Sequence, residues 1–346
     1  MADKKELKKG LISVVMSNYN TPIKYLKESI DSVLNQTYSN FEFIIIDDGS
    51  TDDSLEFIKS YDDSRIKLII NEENMGLTKS LNKGLEVAQG EFIARMDTDD
   101  ICYPERFEKQ IEYLKNHPDT IVCSTWAESI DENENDTQQK WVMAPFKDMK
   151  SFKICLLFSN DPNIVHPSVM INHALLSKYK LKYNEKFSYA QDYELWSRSC
   201  RYANCYILPS KLIKYRIHSE SICLSKKDAQ DECAYRVINN QLNYLGLELN
   251  DDIKKYHFRY LTQMKPYDTK IKNWIKEIIK GNKKHRIYDH RLLKKILWYR
   301  WSEICYSELS VANISHKISI LLSLSLRCKL YLFKIKYNYY KKNKDL

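Results

Sequence analysis

At 346 residues the chain has room for two domains, or for one large α/β unit with an extension. Its 43% hydrophobic and 29% charged residues exclude a disordered or fibrous protein, and seven glycines and eight prolines are too few for collagen, low-complexity linkers or a glycine-rich dinucleotide fold. A net charge of +8 hides an asymmetry: residues 251–346 hold 23 Lys and Arg against 8 Asp and Glu, so a strongly basic end follows a mildly acidic body.

The predicted elements alternate from the start. Leu11 to Met16 is a short apolar run, read as a buried strand. Asn20-Thr21-Pro22 opens a helix on which Ile23, Leu26, Ile30, Val33 and Leu34 recur at helical spacing. Phe41 to Ile46 is a second strand, rich in β-branched residues, that ends in the turn Asp47-Asp48-Gly49-Ser50. A short helix over 55–60, a third strand over 66–70, a helix over 77–88 and a fourth strand over 91–96 follow. The fourth strand ends in Asp97-Thr98-Asp99-Asp100, and Pro104 opens another helix. From 120 to 215 the pattern is mixed: a polar loop over 128–139, a helix within 188–201, and two short strands at 205–208 and 212–215. Beyond Asp228 the chain reads as helical, basic and tyrosine-rich.

This order predicts an α/β fold with a mainly parallel sheet, helices on both faces and right-handed crossovers. Ligands of such sheets bind beyond the carboxyl ends of the strands. Ser17-Asn18-Tyr19-Asn20, Asp47-Asp48 and Asp97 to Asp100 all fall there, so three strands bring acids and amides to one rim.

The nine cysteines are odd in number and scattered, without a C-x-x-C; the nearest pair is Cys200 and Cys205. Reduced, mostly buried thiols of a cytosolic protein are expected, with no zinc site. The first ten residues are polar and lysine-rich with no apolar run behind them, and no stretch approaches 18 apolar residues. Neither a secretory signal nor a spanning helix is expected.

Taken singly, the candidate residues have plain alternatives. Asp97 and Asp99, two apart after a buried strand, suit Mg²⁺ or Mn²⁺ bridging a diphosphate, or form a solvated acidic turn. Asp48 sits where it can accept from a base or ribose, whereas Thr51 and Asp52 read as turn and cap. Tyr19 either stacks on a base or packs. Asp192 alone reads as a helix-start residue, His218 as a structural histidine, and Trp126 and Trp196 as core.

Jointly, the motifs are more specific. Val14-Val15-Met16-Ser17-Asn18-Tyr19-Asn20, Ser32-Val33-Leu34-Asn35-Gln36-Thr37 and Ile46-Asp47-Asp48-Gly49-Ser50-Thr51-Asp52 come first. Asn74-Met75-Gly76-Leu77, Asp97-Thr98-Asp99-Asp100 with Pro104 and Arg106, Gln191-Asp192-Tyr193-Glu194-Leu195-Trp196 and Tyr215-Arg216-Ile217-His218 follow. In order and spacing over residues 10–222 the chain resembles the inverting nucleotide-sugar glycosyltransferases of family 2, of the bacterial polysaccharide type.

The resemblance implies a GT-A fold and a set of roles. Tyr19 stacks on uracil, Asp48 contacts the base, Lys79 lies near the nucleotide, and Asp97 is a ribose or diphosphate-side carboxylate. Asp99 is the main ligand of Mn²⁺ or Mg²⁺, His218 a further metal or diphosphate ligand, and Asp192 the general base. Gln191 stands where the family commonly has Glu, which puts the acceptor type in question. The resemblance further implies a UDP-hexose donor and a growing, lipid-linked saccharide as acceptor. The setting it implies is surface polysaccharide or capsule synthesis at the cytoplasmic face of the membrane.

The expected organisation is a polar lead over 1–9, a GT-A domain over 10–225 and a basic helical region over 226–346. The GT-A domain would comprise a nucleotide-binding half, 10–100, and an acceptor half, 101–225. Residues 318–335 interleave leucines with Arg327, Lys329 and Lys334, and Tyr337, Tyr339 and Tyr340 follow. This end reads either as an interfacial helix on an anionic membrane or as a bundle with a solvated basic face. The alternatives to the enzyme are an inactive scaffold of the same fold, or a nucleic-acid-binding protein using the basic end. The latter leaves the acidic rim unexplained. A dinucleotide oxidoreductase lacks its G-x-G-x-x-G, and a pyrophosphorylase its glycine-rich basic loop after the first strand.

Overall fold

The computed structural model describes residues 6–139, 149–158, 164–218, 226–257 and 269–311. The leucine- and tyrosine-rich end over 318–340 lies outside the described residues. Two compact units are present: Met1–Met149 with Pro162–Ala234, and Lys150–Asp161 with Tyr235–Leu346. The expected division near residue 225 differs from this one, because Lys150–Asp161 belongs with the C-terminal helices.

The first unit is built on one eight-stranded sheet in the order β3-β2-β1-β4-β7-β6-β8-β5. Its strands are β1 (Lys8–Asn18), β2 (Phe41–Asp47), β3 (Ile66–Ile70), β4 (Gly90–Met96), β5 (Ile101–Cys102), β6 (Thr120–Ile130), β7 (Met170–Asn172) and β8 (Asn204–Arg216). The first four pair in parallel; β7 runs antiparallel to both β4 and β6, and β5 antiparallel to β8. Because β7 reverses the direction once between β4 and β6, and β6 and β8 are parallel, the carboxyl end of β8 lies on the same rim as those of β1, β2 and β4.

Helices cover both faces. On one, Ile12, Val14, Met16, Phe43, Phe92, Ala94 and Met96 meet Leu26, Ile30 and Val33 of α1 (Ile23–Leu34). Those three residues recur every three or four positions, so the helix buries one stripe and turns Lys24 and Lys27 outward. Each such side chain, fully buried, stabilises by about 1.5–3 kcal/mol. α1 begins after Pro22, whose backbone is extended and which has no N–H to leave unpaired. α2 (Ser54–Lys59) and α4 (Arg106–Asn116) add Ile58, Phe107, Ile111 and Leu114 to the same core. On the other face lies α3 (Leu77–Val87), where a Cβ on Gly84 would come within 2.4 Å of Val15 Cγ1.

Two expectations change. The strands at 205–208 and 212–215 are one strand, β8, in parallel register with β6 and passing through an irregularity between Thr125 and Ala127. Pro209 sits in that irregular stretch, where its missing N–H costs the ladder least. The polar loop starts at Asp131 rather than Glu128, because Glu128 to Ile130 still pair with Lys214 to Arg216. α6 (His173–Lys178) and α7 (Gln191–Ser199) complete this unit, with α8 (Lys227–Asn243) beginning in it.

The second unit is helical. Phe152 and Ile154 of α5 (Met149–Cys155), with Leu156 to Phe158, are buried. So are Val237, Ile238 and Leu242 in α8. α9 (Asp251–Tyr256) is followed by α10 (Thr269–His285), which buries Ile271, Trp274 and Ile278, and α11 (His290–Val311), which buries Leu293, Leu297 and Trp301. Gln241 Nε2 donates to the Leu156 carbonyl at 2.9 Å, and the Arg300 guanidinium lies 4.7 Å from the Phe158 ring centre. Among the described residues no helix is long and apolar enough to cross a membrane. The seven described cysteines are free, and Cys200 and Cys205 bring their sulfurs within 2.8 Å.

Candidate active site

The rim collects the residues singled out in the sequence. Tyr19 follows β1, Asp48 follows β2, and Asp97 and Asp99 follow β4, while His218 lies two residues past β8. Lys79 is in the first turn of α3 and Asp192 in the first turn of α7.

Tyr19 is 47% exposed, an open ring beside a rigid base. That base is Asn18, whose amide donates to Asp47 Oδ1 at 2.8 Å, Ser54 Oγ at 2.9 Å and Ser50 Oγ at 3.1 Å. Asp48 has a fuller set of protein partners than the sequence implied. It is 2% exposed, and its Oδ1 accepts from Asn71 Nδ2, Met75 N and Ser80 Oγ at 2.7–3.0 Å. Its Oδ2 accepts from Gly76 N at 2.8 Å. A carboxylate has about four acceptor sites, two on each oxygen, so Asp48 spends most of its capacity fixing the turn that starts α3. Gly76 takes a φ of +88° in that turn, which a side chain would resist. Lys79 is exposed on the helix so oriented.

Asp97, Asp99 and Asp100 each offer an oxygen, all within 4.8 Å of one another. The turn is held from several sides. Ser29 Oγ donates to the Asp97 carbonyl at 2.7 Å, and Thr21 and Thr98 share a hydroxyl bond of 2.8 Å. Arg216 is buried and binds widely: its N donates to Asp100 Oδ1 at 2.8 Å, its Nε to the Asp99 carbonyl at 2.8 Å, and its Nη2 pairs with Glu28 at 2.5 Å. Two residues on, His218 Nε2 lies 3.0 Å from Asp99 Oδ2, its ring tilted against Tyr25. Burial pushes the Asp97 and Asp100 carboxyls up; for Asp100 the effect is large and Asp99 adds to it. Asp100 Oδ2 has no hydrogen-bond partner among the described residues. Clustered hard oxygens, one of them orphaned, with an imidazole alongside form a donor set that fits Mn²⁺ or Mg²⁺.

Asp192 is half-buried at the start of α7. Ala190 precedes the helix with a φ of +52°, a left-handed conformation that costs a non-glycine residue about 1 kcal/mol or more. Burial raises the Asp192 carboxyl above its ordinary value, opposed by the backbone N–H groups of Tyr193 and Asp192 and by the Arg95 charge. Behind it, Trp196 is buried and Glu194 pairs with Arg198 at 2.7 Å, so the rest of α7 is locked. Gln191 is buried.

The sequence reading gave Arg95, Asp100 and Arg216 no role. A charged residue in a strand looks solvent-facing unless the covering face is known. The signals were that Arg95 interrupts the apolar run Phe92 to Met96 of β4, and that Asp100 and Arg216 stand within the quoted motifs.

The signature of Glycosyl transferase family 2 matches residues 13–180, from β1 to just past α6. An uncharacterized glycosyltransferase of Methanocaldococcus jannaschii is 41% identical over 237 residues, 66% of this chain and 79% of that protein. The amylovoran biosynthesis glycosyltransferase AmsE of Erwinia amylovora is 31% identical over 61% of this chain and 78% of its own length. Among solved structures, Staphylococcus aureus TarS 1–349 in complex with UDP-GlcNAc shares the fold, with a TM-score of 0.55 at 20% identity over 85% of this chain and 88% of that one. The mannosyltransferase PcManGT of Pyrobaculum calidifontis, in complex with GDP-Man and Mn²⁺, gives 0.54 at 12% identity over 93% and 83%. A GT-A sheet with its acids on one rim, a matching signature and a 41% identical relative covered over most of its length agree, and the chain belongs to glycosyl transferase family 2.

Proposed function

We propose that the chain is a metal-dependent inverting glycosyltransferase that moves a hexose from a UDP-sugar to a hydroxyl of a growing, lipid-linked saccharide of the cell surface. The observation that carries this is the meeting of Asp99 and His218, 119 residues apart in sequence, at 3.0 Å beside Asp97 and Asp100. The UDP-GlcNAc bound to TarS and the Mn²⁺ bound to PcManGT support the donor class and the metal. AmsE supports the polysaccharide setting.

Asp99 and His218 would hold the divalent ion, whose chemistry is to neutralise the departing diphosphate. Tyr19 offers a face for the base to stack on. Asp48 keeps one acceptor site on Oδ2 for a base N–H and, through Gly76, sets the helix that carries Lys79 toward the nucleotide. Asp97 accepts on the ribose or diphosphate side. Asp192 takes the proton from the acceptor hydroxyl as that oxygen attacks the anomeric carbon, so configuration inverts in a single displacement. A carboxyl raised by burial is a stronger base than a solvated one, provided it is ionised at the working pH.

The test is a donor screen by nucleotide release, with UDP-, GDP- and dTDP-sugars, in Mn²⁺, Mg²⁺ or EDTA. UDP release from one sugar, abolished by EDTA and by Asp192→Asn, is expected. Because only ionised Asp192 is competent, the rate should rise with pH through a limb above the usual carboxylate range. Release that survives EDTA refutes the metal role. Metal-independent silence toward every donor, with no UDP binding, refutes the activity.

A further inference from the structure

Two buried thiols of the first unit face each other away from the rim. Cys200 caps the carboxyl end of α7, and Cys205 is the second residue of β8, in register with Val122 of β6. Their sulfurs lie 2.8 Å apart. Non-bonded heavy atoms in a packed core settle at about 3.5–4.0 Å, whereas a disulfide bond measures about 2.05 Å. The contact lies between packing and bonding.

Both anchors are fixed independently of it. Cys200 N donates to the Trp196 carbonyl at 3.0 Å, and Tyr202 N and Ala203 N both donate to the Ser199 carbonyl, at 3.0 and 3.2 Å. Asn204 N donates to the Asp119 carbonyl at 3.0 Å, and its side-chain amide to Asp119 Oδ2 at 2.5 Å. The Tyr202 ring stacks on Tyr179, with ring centres 4.8 Å apart. The turn Arg201-Tyr202-Ala203 is thus short and tied at both ends, and it delivers one sulfur to the other. Other buried thiols are engaged elsewhere: Cys102 Sγ lies 3.0 Å from Arg106 Nη1 and 3.3 Å from Met96 Sδ, and Cys123 Sγ faces the Ser124 carbonyl. Among the described residues, Cys200 and Cys205 hydrogen-bond through sulfur to each other alone. Cys200 is 7% exposed and Cys205 is fully buried, so an oxidant from solvent meets Cys200 first. Burial and the neighbouring sulfur push the Cys205 thiol up, so it keeps its proton until Cys200 has reacted.

We infer that Cys200 and Cys205 form a site of reversible thiol oxidation, which takes a hydroperoxide as oxidant and staples α7 to β8. The Cys200 thiol takes one oxygen from hydrogen peroxide, giving a sulfenic acid and one water. The Cys205 sulfur then displaces that hydroxyl, which leaves with the Cys205 proton as a second water. The two sulfurs lose two electrons and two hydrogens, and the peroxide is reduced to two waters. A dithiol reverses the bond by becoming a disulfide itself. α7 opens with Gln191-Asp192 and ends at Cys200, so the staple fixes the far end of that helix, about 12 Å along its axis from Asp192. Neither sulfur belongs to the rim, so the proposal holds whatever the donor proves to be.

In the experiment the full chain, reduced and then freed of reductant, receives one equivalent of hydrogen peroxide and is alkylated in denaturant once the peroxide is consumed. Trypsin cuts after Arg201, between the two cysteines, so the bond appears as peptide 199–201 joined to peptide 202–211. Free thiols should fall by two from nine, with these joined peptides as the main product, and dithiothreitol should restore them. Cys205→Ser should leave a sulfenic acid on Cys200 that dimedone traps, and Cys200→Ser should leave Cys205 unoxidised. Oxidation should raise the urea-unfolding midpoint of the parent protein, and leave unchanged that of the double variant Cys200→Ser with Cys205→Ser. Nine free thiols after treatment, or a main product that joins other cysteines, overturns the pair. A midpoint equal in both redox states, or a shift that persists in the double variant, overturns the staple.

Discussion

The imidazole of His257 donates through Nε2 to the Leu157 carbonyl at 2.7 Å and accepts at Nδ1 from the Trp274 indole N–H at 3.0 Å. Both nitrogens are used, so a proton added at Nδ1 would face another donor. Burial, with Arg300 nearby, lowers its pKa from 6.5 to about 4. Between those values the unfolded chain takes up a proton that the folded one refuses. Stability is therefore full above about pH 6.5 and falls as the pH drops toward 4, by up to about 3 kcal/mol. Urea midpoints at pH 7 and 4.5 should differ accordingly, and His257→Gln should flatten the difference; a slope unchanged by the substitution would rule this histidine out. Such a residue looks ordinary in sequence, as do Arg95 and Arg216. The acids on the rim were legible because they end apolar strands. Their supports were not, because the guanidinium partners of Arg216 come from α1 and from the turns after β4 and β6, between 85 and 188 residues away.

Among the elements, β1 to β4 were legible because each is a short, largely apolar run closed by turn residues, and the helices between them because their apolar residues recur at helical spacing. β5 and β7 were not, at two and three residues. Segments that short have no period, and only their neighbours make them strands. β8 looked like two strands because Pro209 interrupts it, and the ladder absorbs that break in an irregular register. The packing of α3 on the sheet supplies a test at this scale. Alanine favours a helix by about 1 kcal/mol over glycine, yet a Cβ at Gly84 would lie 2.4 Å from a methyl of Val15, which is stiff in its strand. Overpacking should win, and Gly84→Ala should lower unfolding stability by about 1–2 kcal/mol net. A raised unfolding midpoint would show that the helix shifts freely instead. α3 begins at the turn that Asp48 holds, so the same substitution should weaken UDP binding on the proposed reading.

For the whole molecule, the sequence suggested a domain over 10–225 followed by a basic helical region, since the family motifs end near residue 222 and the charge turns strongly basic from residue 251. Charge reports the surface, whereas the division of the cores follows apolar contacts between distant segments. Phe152, Ile154, Leu156, Leu157 and Phe158 belong with the helices after Tyr235. A chain stopped after residue 225 should therefore aggregate when expressed, because it bares five large apolar side chains. Replacing 150–161 with a short Gly/Ser linker in that shortened chain should restore solubility, as recovery in the supernatant would show. Equal recovery with and without the replacement would contradict the division.

The same division bears on how relatives of this chain can diverge. A helical unit entered twice cannot be gained or lost by a single fusion or an early stop codon. Exchange between lineages would need two recombination points, one on each side of residues 150–161, made together. The helical unit should thus be inherited with the sheet as a pair, and its variation should accumulate by substitution within it rather than by trading it whole.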